Sequence, residues 1–233
     1  MNFAMILMAG SGLRLAADRP KQYLEINNKP LFIYTTEGFA NHPNIDHLLL
    51  VARKEDFAYI NETLAKWNIN KVLPLVDGGD TRQASVYNGL IALKKIANED
   101  DLILIHDAAR PLVSEAIISD NIIKATETGT ALTALSTSNT IGVSFDGKSL
   151  DHVPNRDDLF IIQTPQTFKY KLIFGAHLGA LNNQLTNQSD DAQLLLHLNI
   201  PVYFVNGSSL NFKVTTKEDF KLLQAVIGDT NHE

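Results

Sequence analysis

The sequence predicts an α/β fold: a mostly parallel sheet with helices on both faces and a protruding β-arm. Three observations carry that prediction. Short apolar runs of strand length recur without polar alternation, the pattern of strands buried on both sides. Helix-length amphipathic stretches separate them. Glycines and charged residues gather just after several of the runs, where ligands bind in sheets of this kind.

Phe3–Met8, Leu48–Val51, Val72–Val76, Leu102–Ile105, Ala131–Leu135 and Val202–Val205 read as strands. Leu31–Phe39, Glu55–Trp67, Thr81–Ile96 and Ser114–Thr126 read as helices between them. Ser114 followed by Glu115 is a suitable helix start. The rhythm breaks after about residue 136. Ile141–Phe145 and Ser149–Val153, joined by Asp146-Gly147, read as a hairpin too polar for the main sheet. Helices near Tyr170–Leu181, Asp190–Leu198 and Lys217–Ile227 complete the chain. The expectation is one domain over residues 1–233, with an arm at 137–158.

Composition narrows the function classes. The 233 residues are 45% hydrophobic and 20% charged, an ordinary globular balance. Cysteine is absent, which excludes a disulfide framework, a Cys-ligated zinc site and a thiol nucleophile. A net charge of −6 argues against broad nucleic-acid binding. The apolar run at 3–9 has no basic segment before it, and the longest apolar runs fall short of the roughly 18 residues of a membrane-spanning helix. The expectation is a cytoplasmic protein that meets neither nucleic acid nor membrane.

The first strand runs into Ala9-Gly10-Ser11-Gly12-Leu13-Arg14 and then Arg19-Pro20-Lys21-Gln22. Glycines at a strand end let backbone N–H groups approach an anion, and three cations follow within a few residues. A polyphosphate belongs here. It is not a dinucleotide fingerprint, because Leu15 stands where the third small residue is required and no acidic residue closes the second strand. Nor is it a Walker A loop, since Gly-Lys-Ser/Thr is missing.

Asp77-Gly78-Gly79-Asp80-Thr81-Arg82 follows the third strand, with Ser85 in the first turn of the next helix. Two readings stand side by side: base-edge recognition by backbone and hydroxyl, or a plain Gly-Gly turn with Asp80 as N-cap. His106-Asp107-Ala108-Ala109-Arg110-Pro111 follows the fourth strand. Asp107 is well placed there to bind Mg²⁺ and Arg110 to hold a second anion, the alternative being a loop cap and its salt-bridge partner. His106 reads as a packed, hydrogen-bonded side chain. Ser189 reads most simply as an N-cap, with Asp190 and Asp191 favoured by the helix dipole. Lys213, between Phe212 and Val214, calls for an anionic partner.

Ala-Gly-x-Gly-x-Arg, Pro-Lys-Gln, Gly-Gly-x-x-Arg, His-Asp-Ala-Ala-Arg-Pro, Thr-Pro-Gln and Lys-Val-Thr occur in that order from Met8 to about Phe220. Together they resemble the family of cytidylyltransferases that act on polyol phosphates. The resemblance implies a Rossmann-like nucleotidyltransferase fold, a homodimer joined through the arm, and CTP with Mg²⁺. It implies that Arg14, Lys21 and Lys213 are catalytic and that Ala9, Gly10, Ser11, Gly12, Gly79 and Ser85 enclose the nucleotide. It further implies that Asp107, Arg110, Thr140, Arg156, Thr164 and Ser189 line the polyol-phosphate side, Thr140 and Arg156 reaching it from the second subunit.

The substrate it points to is 2-C-methyl-D-erythritol 4-phosphate, in isoprenoid precursor synthesis. Arg82-Gln83-x-Ser85-Val86 and Asp190-Asp191-Ala192 resemble that branch, whereas Asn28-Lys29-Pro30 and Val153-Pro154-Asn155-Arg156 are at least as similar to the ribitol-5-phosphate branch. Asn139 stands where Asp is usual, and Ser189 where Thr is usual. A non-catalytic nucleotide-binding scaffold is the reading from another class. Arg14, Lys21, Asp107 and Lys213 together speak against it, because a mere binder needs no cations crowded at the α-phosphate.

Overall fold

The computed structural model describes residues 1–10, 20–186 and 188–229. Nine strands and seven helices are formed by these residues. In order they are β1 (Asn2–Leu7), β2 (Glu25–Ile26), β3 (Lys29–Pro30), α1 (Leu31–Ala40), β4 (His47–Ala52), α2 (Phe57–Lys66), β5 (Val76–Asp77), α3 (Arg82–Leu93), β6 (Leu102–Asp107), α4 (Glu115–Thr128), β7 (Thr130–Ser136), β8 (Phe160–Lys169), α5 (Tyr170–Asn182), α6 (Ala192–Leu196), β9 (Phe204–Asn206) and α7 (Lys217–Asp229).

The sheet order is β5-β4-β1-β6-β8-β7-β9. β5, β4, β1 and β6 are parallel, β8 runs against both β6 and β7, and β9 is parallel to β7. Leaving β1 the chain turns to the β4 side, and leaving β5 it crosses to β6 on the other side. Loops therefore part between β1 and β6, which opens a crevice at their carboxyl ends.

The non-alternating runs are buried on both faces, as expected. Ala4, Ile6, Leu48, Leu50 and Leu104 join one core cluster with Phe32 and Phe39 of α1, Ile60 and Leu64 of α2, and Ile117 and Ile118 of α4. Their neighbours Phe3, Met5, Leu49, Val51, Ile103 and Ile105 point the other way, into a cluster with Val86 and Leu90 of α3 and Ile173 of α5. Successive side chains of a strand alternate faces, so each run serves two cores. A third cluster, Ile26, Leu31, Val214, Leu223 and Ile227, fixes α7 and the segment before it beside the β2–β3 hairpin.

Several boundaries differ from expectation for physical reasons. Val72–Val76 is not one strand: Val72 forms a single bridge to Leu48, and pairing resumes only at Val76, after Pro74, which has no N–H to give. The last strand is Phe204–Asn206. The arm is present as an excursion, but the expected hairpin reduces to one bridge between Val143 and His152. Its turn is tied by Asp146 Oδ1, which accepts from the backbone N–H of Lys148 at 2.7 Å and Ser149 at 2.8 Å.

β8 was not expected as a strand at all. Its inner residues are polar yet buried, each satisfied by a distant partner. Thr167 Oγ1 donates to Asn121 Oδ1 at 3.1 Å, and Asn121 Nδ2 donates to Thr133 Oγ1 at 2.9 Å. Gln163 Nε2 donates to the Ser208 carbonyl at 2.8 Å. Replacing Asn121, which is fully buried, therefore strips two hydroxyls of a partner at once. Asn121→Ala should lower stability by about 2 kcal/mol, seen as a fall in Tm of roughly 4–8 °C, with no change in far-UV helix content.

Candidate active site

Three loops meet at the crevice. Each begins as a continuation of the sheet: Met8 N donates to the Val51 carbonyl at 2.8 Å, Gly78 N to Ala52 at 2.8 Å and Ala108 N to Leu7 at 3.0 Å. The loop after β1 is fastened by Gln22, nearly fully buried, whose Nε2 donates to the carbonyls of Met8 at 2.8 Å and Gly10 at 3.0 Å. Gly78 lets the second loop lie against the first, since a Cβ there would come within 2.3 Å of the Ala9 Cβ. Gly79 packs on the start of α3, where its own Cβ would meet the Ala84 Cβ at 2.5 Å.

These loops border a cavity of about 850 Å³. Ala9, Gly10, Lys21, Gly79, Ser85, Asp107 and Lys213, all named from sequence, line it. Arg53, Thr81, Arg82 and Thr215 also line it, without having been expected. Lys21 lies in a short 3₁₀ turn, Lys21–Tyr23, and its Nζ donates to the Val214 carbonyl at 2.9 Å. The Lys213 segment is thus held from one side by Lys21 and from the other by Val214 N donating to Ala109 O at 2.8 Å.

At the floor stands Asp107, the last residue of β6. Its Oδ2 is 2.7 Å from Lys213 Nζ and 3.9 Å from Arg110 Nε, and its Oδ1 is 3.7 Å from Arg82 Nε. Burial by itself would raise the Asp107 pKa, yet the charges of Lys213, Arg82 and Arg110 outweigh it and hold the carboxyl well below the usual range. Lys213 therefore has the anionic partner that its setting called for. Across the described residues of the cavity the charges balance, Lys21, Arg53, Arg82 and Lys213 against Glu55, Asp77, Asp80 and Asp107. At the floor, however, the cations outnumber the one carboxylate, which suits an anionic ligand there.

The family model described as IspD, 2-C-methyl-D-erythritol 4-phosphate cytidylyltransferase, matches residues 3–229. The chain belongs to this family. It is 39% identical over 228 residues to the 2-C-methyl-D-erythritol 4-phosphate cytidylyltransferase of Clostridium botulinum type F, covering 97% of each. It is also 32% identical over 234 residues to a ribitol-5-phosphate cytidylyltransferase of Streptococcus agalactiae serotype III, covering 100% of this chain and 98% of that protein. Among solved structures, a 4-diphosphocytidyl-2C-methyl-D-erythritol synthase from Anaerococcus prevotii superposes with a TM-score of 0.83 at 31% identity, over 98% of this chain and 96% of that one.

The remaining site residues of this cytidylyltransferase are distributed unevenly. Arg14, Ser11 and Gly12 lie outside the described residues. Ser85 faces the cavity, but its hydroxyl is already engaged, accepting from Gly79 N at 3.1 Å and donating to the Thr81 carbonyl at 3.0 Å. Thr81, not Asp80, caps α3, its side chain accepting from Ala84 N at 3.0 Å. Thr164 is buried behind Asp107, its Oγ1 accepting from Asp107 N at 3.2 Å. Arg110 Nη1 donates to the Asn211 carbonyl at 2.8 Å, which turns it toward the loop before Lys213. Thr140 and Arg156 are exposed on the arm and are not brought to this cavity. Ser189 is exposed too, and it is not the N-cap expected. The helix begins at Ala192, Asp190 Oδ1 accepts from Gln193 N at 3.1 Å, and Ser189 Oγ accepts from Gln193 Nε2 at 2.9 Å.

Gln22 and Arg82 are the residues that sequence reasoning passed over. Both were visible as the last letters of Pro-Lys-Gln and Gly-Gly-x-x-Arg, but nothing local says what they hold. As for a metal, no three His, Asp or Glu side chains come together among the described residues. One carboxylate opposed by three cations is not a protein cage. Asp107 is already met by three cations, so a hard cation here would rest chiefly on the phosphate oxygens of a ligand.

His106 is fully buried beneath this floor, its Nδ1 3.1 Å from Thr164 Oγ1 and its Nε2 3.0 Å from the Arg110 carbonyl. Burial pushes its pKa from 6.5 down to about 4. Unfolded, the ring takes a proton near 6.5; folded, it resists until about 4. Between those values the unfolded state binds more protons, so stability falls as pH falls. His106 should account for about 2 kcal/mol of loss between pH 7 and pH 5. A His106→Gln variant should show a visibly flatter Tm against pH over that interval, and parallel curves would refute the assignment.

Proposed function

We propose that this chain transfers CMP from CTP to 2-C-methyl-D-erythritol 4-phosphate, releasing pyrophosphate, as a step of isoprenoid precursor synthesis. The observation that carries the reading is the meeting of Lys21, Lys213 and Asp107 on one cavity at the strand ends, in a member of this family. An oxygen of the polyol phosphate attacks the α-phosphorus in line, forming the new P–O bond as the bond to pyrophosphate breaks. That oxygen is already anionic, so no general base is required. The work left to the protein is to bring two anions together and oppose the charge that accumulates between them.

In this reading Arg14, Lys21 and Lys213 act on the triphosphate, and Ala9, Gly10, Ser11, Gly12, Gly79 and Ser85 enclose the cytidine. Asp107, Arg110, Thr164 and Ser189 face the polyol phosphate. Thr140 and Arg156 come from the second subunit of a homodimer. Mg²⁺, bound to the phosphates with Asp107 nearby, would neutralise phosphate charge. The homodimer is supported by the arm, where Phe145 is 83% and Leu150 67% exposed. A cytoplasmic location is part of the proposal, and no helix among the described residues is long and apolar enough to cross a membrane.

A second reading, with ribitol 5-phosphate as acceptor, is favoured by the 32% identity to the ribitol-5-phosphate cytidylyltransferase over the whole chain. Pyrophosphate release from CTP with each polyol phosphate in turn separates the two. Turnover with neither acceptor would overturn both. Lys21→Ala should lower kcat by about 10²-fold, the scale of losing one transition-state charge contact, and wild-type turnover in that variant would remove Lys21 from the catalytic set. Sedimentation of the full chain should give a dimer, and Phe145→Glu with Leu150→Glu should shift it toward monomer.

A further inference from the structure

One element of the cleft is also the hanger of a different segment. The first turn of α3 carries Thr81, Arg82 and Ser85 on the cavity, and its other side grips the chain on either side of Ser189. Gln83 Oε1 accepts from Gln188 N at 3.0 Å, immediately before Ser189. Arg82 Nη1 donates to Asp191 Oδ2 at 2.7 Å, two residues after it. Asp191 is 1% exposed, and its other oxygen lies 3.3 Å from His177 Nε2. Gln166 Oε1 accepts from the backbone N–H of Asp191 at 3.1 Å and of Ala192 at 3.3 Å. The same guanidinium places its Nε 3.7 Å from Asp107 Oδ1.

We propose that Arg82 and Asp191 are a positioning pair that sets the Ser189 segment against Asp107 and thereby governs binding of the acceptor phosphate substrate, not of the nucleotide. The inference rests on the reading of the site as a CTP-dependent cytidylyltransferase. Its logic is one of division. The loops assigned to the nucleotide have fastenings of their own: Gln22 holds Met8 and Gly10, and Ser85 holds Gly79. Among the described residues, the Ser189 segment is held from α3 and β8. Its side-chain anchor is Asp191, and Asp191 is held by a cation that also faces Asp107. Asp191 itself does not line the cavity, so its effect must pass through Arg82 and through the backbone it fixes. A planar guanidinium suits this bridge, because its fork fixes two carboxylates at once, which an ammonium does not.

The test is steady-state kinetics of the full-length protein, with CTP and 2-C-methyl-D-erythritol 4-phosphate titrated separately. Asp191→Asn and Arg82→Lys should each raise KM for the polyol phosphate by about tenfold or more, with KM for CTP within about threefold of wild type. The charge-free pair Arg82→Met with Asp191→Leu should fold and show the same split, which separates lost positioning from a stranded buried charge. Equal rises in both KM values, or an unchanged polyol KM in that double variant, would overturn the proposal. So would failure of the double variant to fold, which would make the pair a folding element. Failure of the underlying reading looks different: the wild-type protein itself would be idle with CTP and the polyol phosphate.

Discussion

The site depends on one buried carboxylate. Asp107 is the last residue of β6, fixed by the parallel register that sets Leu7 opposite it on β1. Its charge would be untenable there without partners, and Lys213, Arg82 and Arg110 come to it from three separate parts of the chain. Arg110 belongs to the loop that follows Asp107, and the other two are brought in by elements whose own packing is apolar: α3 through Val86 and Leu90, and the Lys213 segment through Val214. The hydrophobic layers deliver the charges, and the carboxylate gathers them. A cluster of cations at the cavity floor results, in a protein whose net charge is −6. Overall acidity excludes a broad basic surface, yet it leaves one focused site intact.

Much of this was legible from residues alone, and what was not has a common cause. β1, β4 and β6 were readable because burial on two faces leaves a local mark, an unbroken apolar run. The glycine loops were readable because close backbone approach also demands a local residue type. β8 left no such mark. Its burial rests on Asn121, Ser208 and the amides of Asp191 and Ala192, all distant in sequence. Periodicity reports hydrophobicity, not satisfied polarity, so a strand of Gln and Thr looks like a loop. Arg82 was obscured in the same way, for the carboxylate that fixes it is 109 residues away. Cap positions failed more narrowly. Thr81 took the role expected of Asp80, and the N-cap place of α6 falls on Asp191, two residues past Ser189, shifts that spacing alone does not resolve.

Three cations of the cleft are held in place by the protein's own acceptors. Lys21 is held on the Val214 carbonyl, Arg110 on the Asn211 carbonyl, and Lys213 on Asp107. Preorganised cations stabilise developing charge without reorganising at the moment of reaction, and this is where an enzyme gains over water. The three are not equivalent, however. Arg110 is tied to a loop carbonyl and 11% exposed, whereas Lys213 is 38% exposed and rests on the Asp107 carboxylate. A triphosphate carries more negative charge than Asp107, so Lys213 is the cation best able to share its charge with a ligand while remaining anchored. Asp107 is also faced by Arg110 and by Arg82, the residue that holds Asp191. One guanidinium thus joins the carboxylate at the cavity floor to a buried carboxylate 109 residues from Arg82 in sequence, and the two sides of the cleft share a single support.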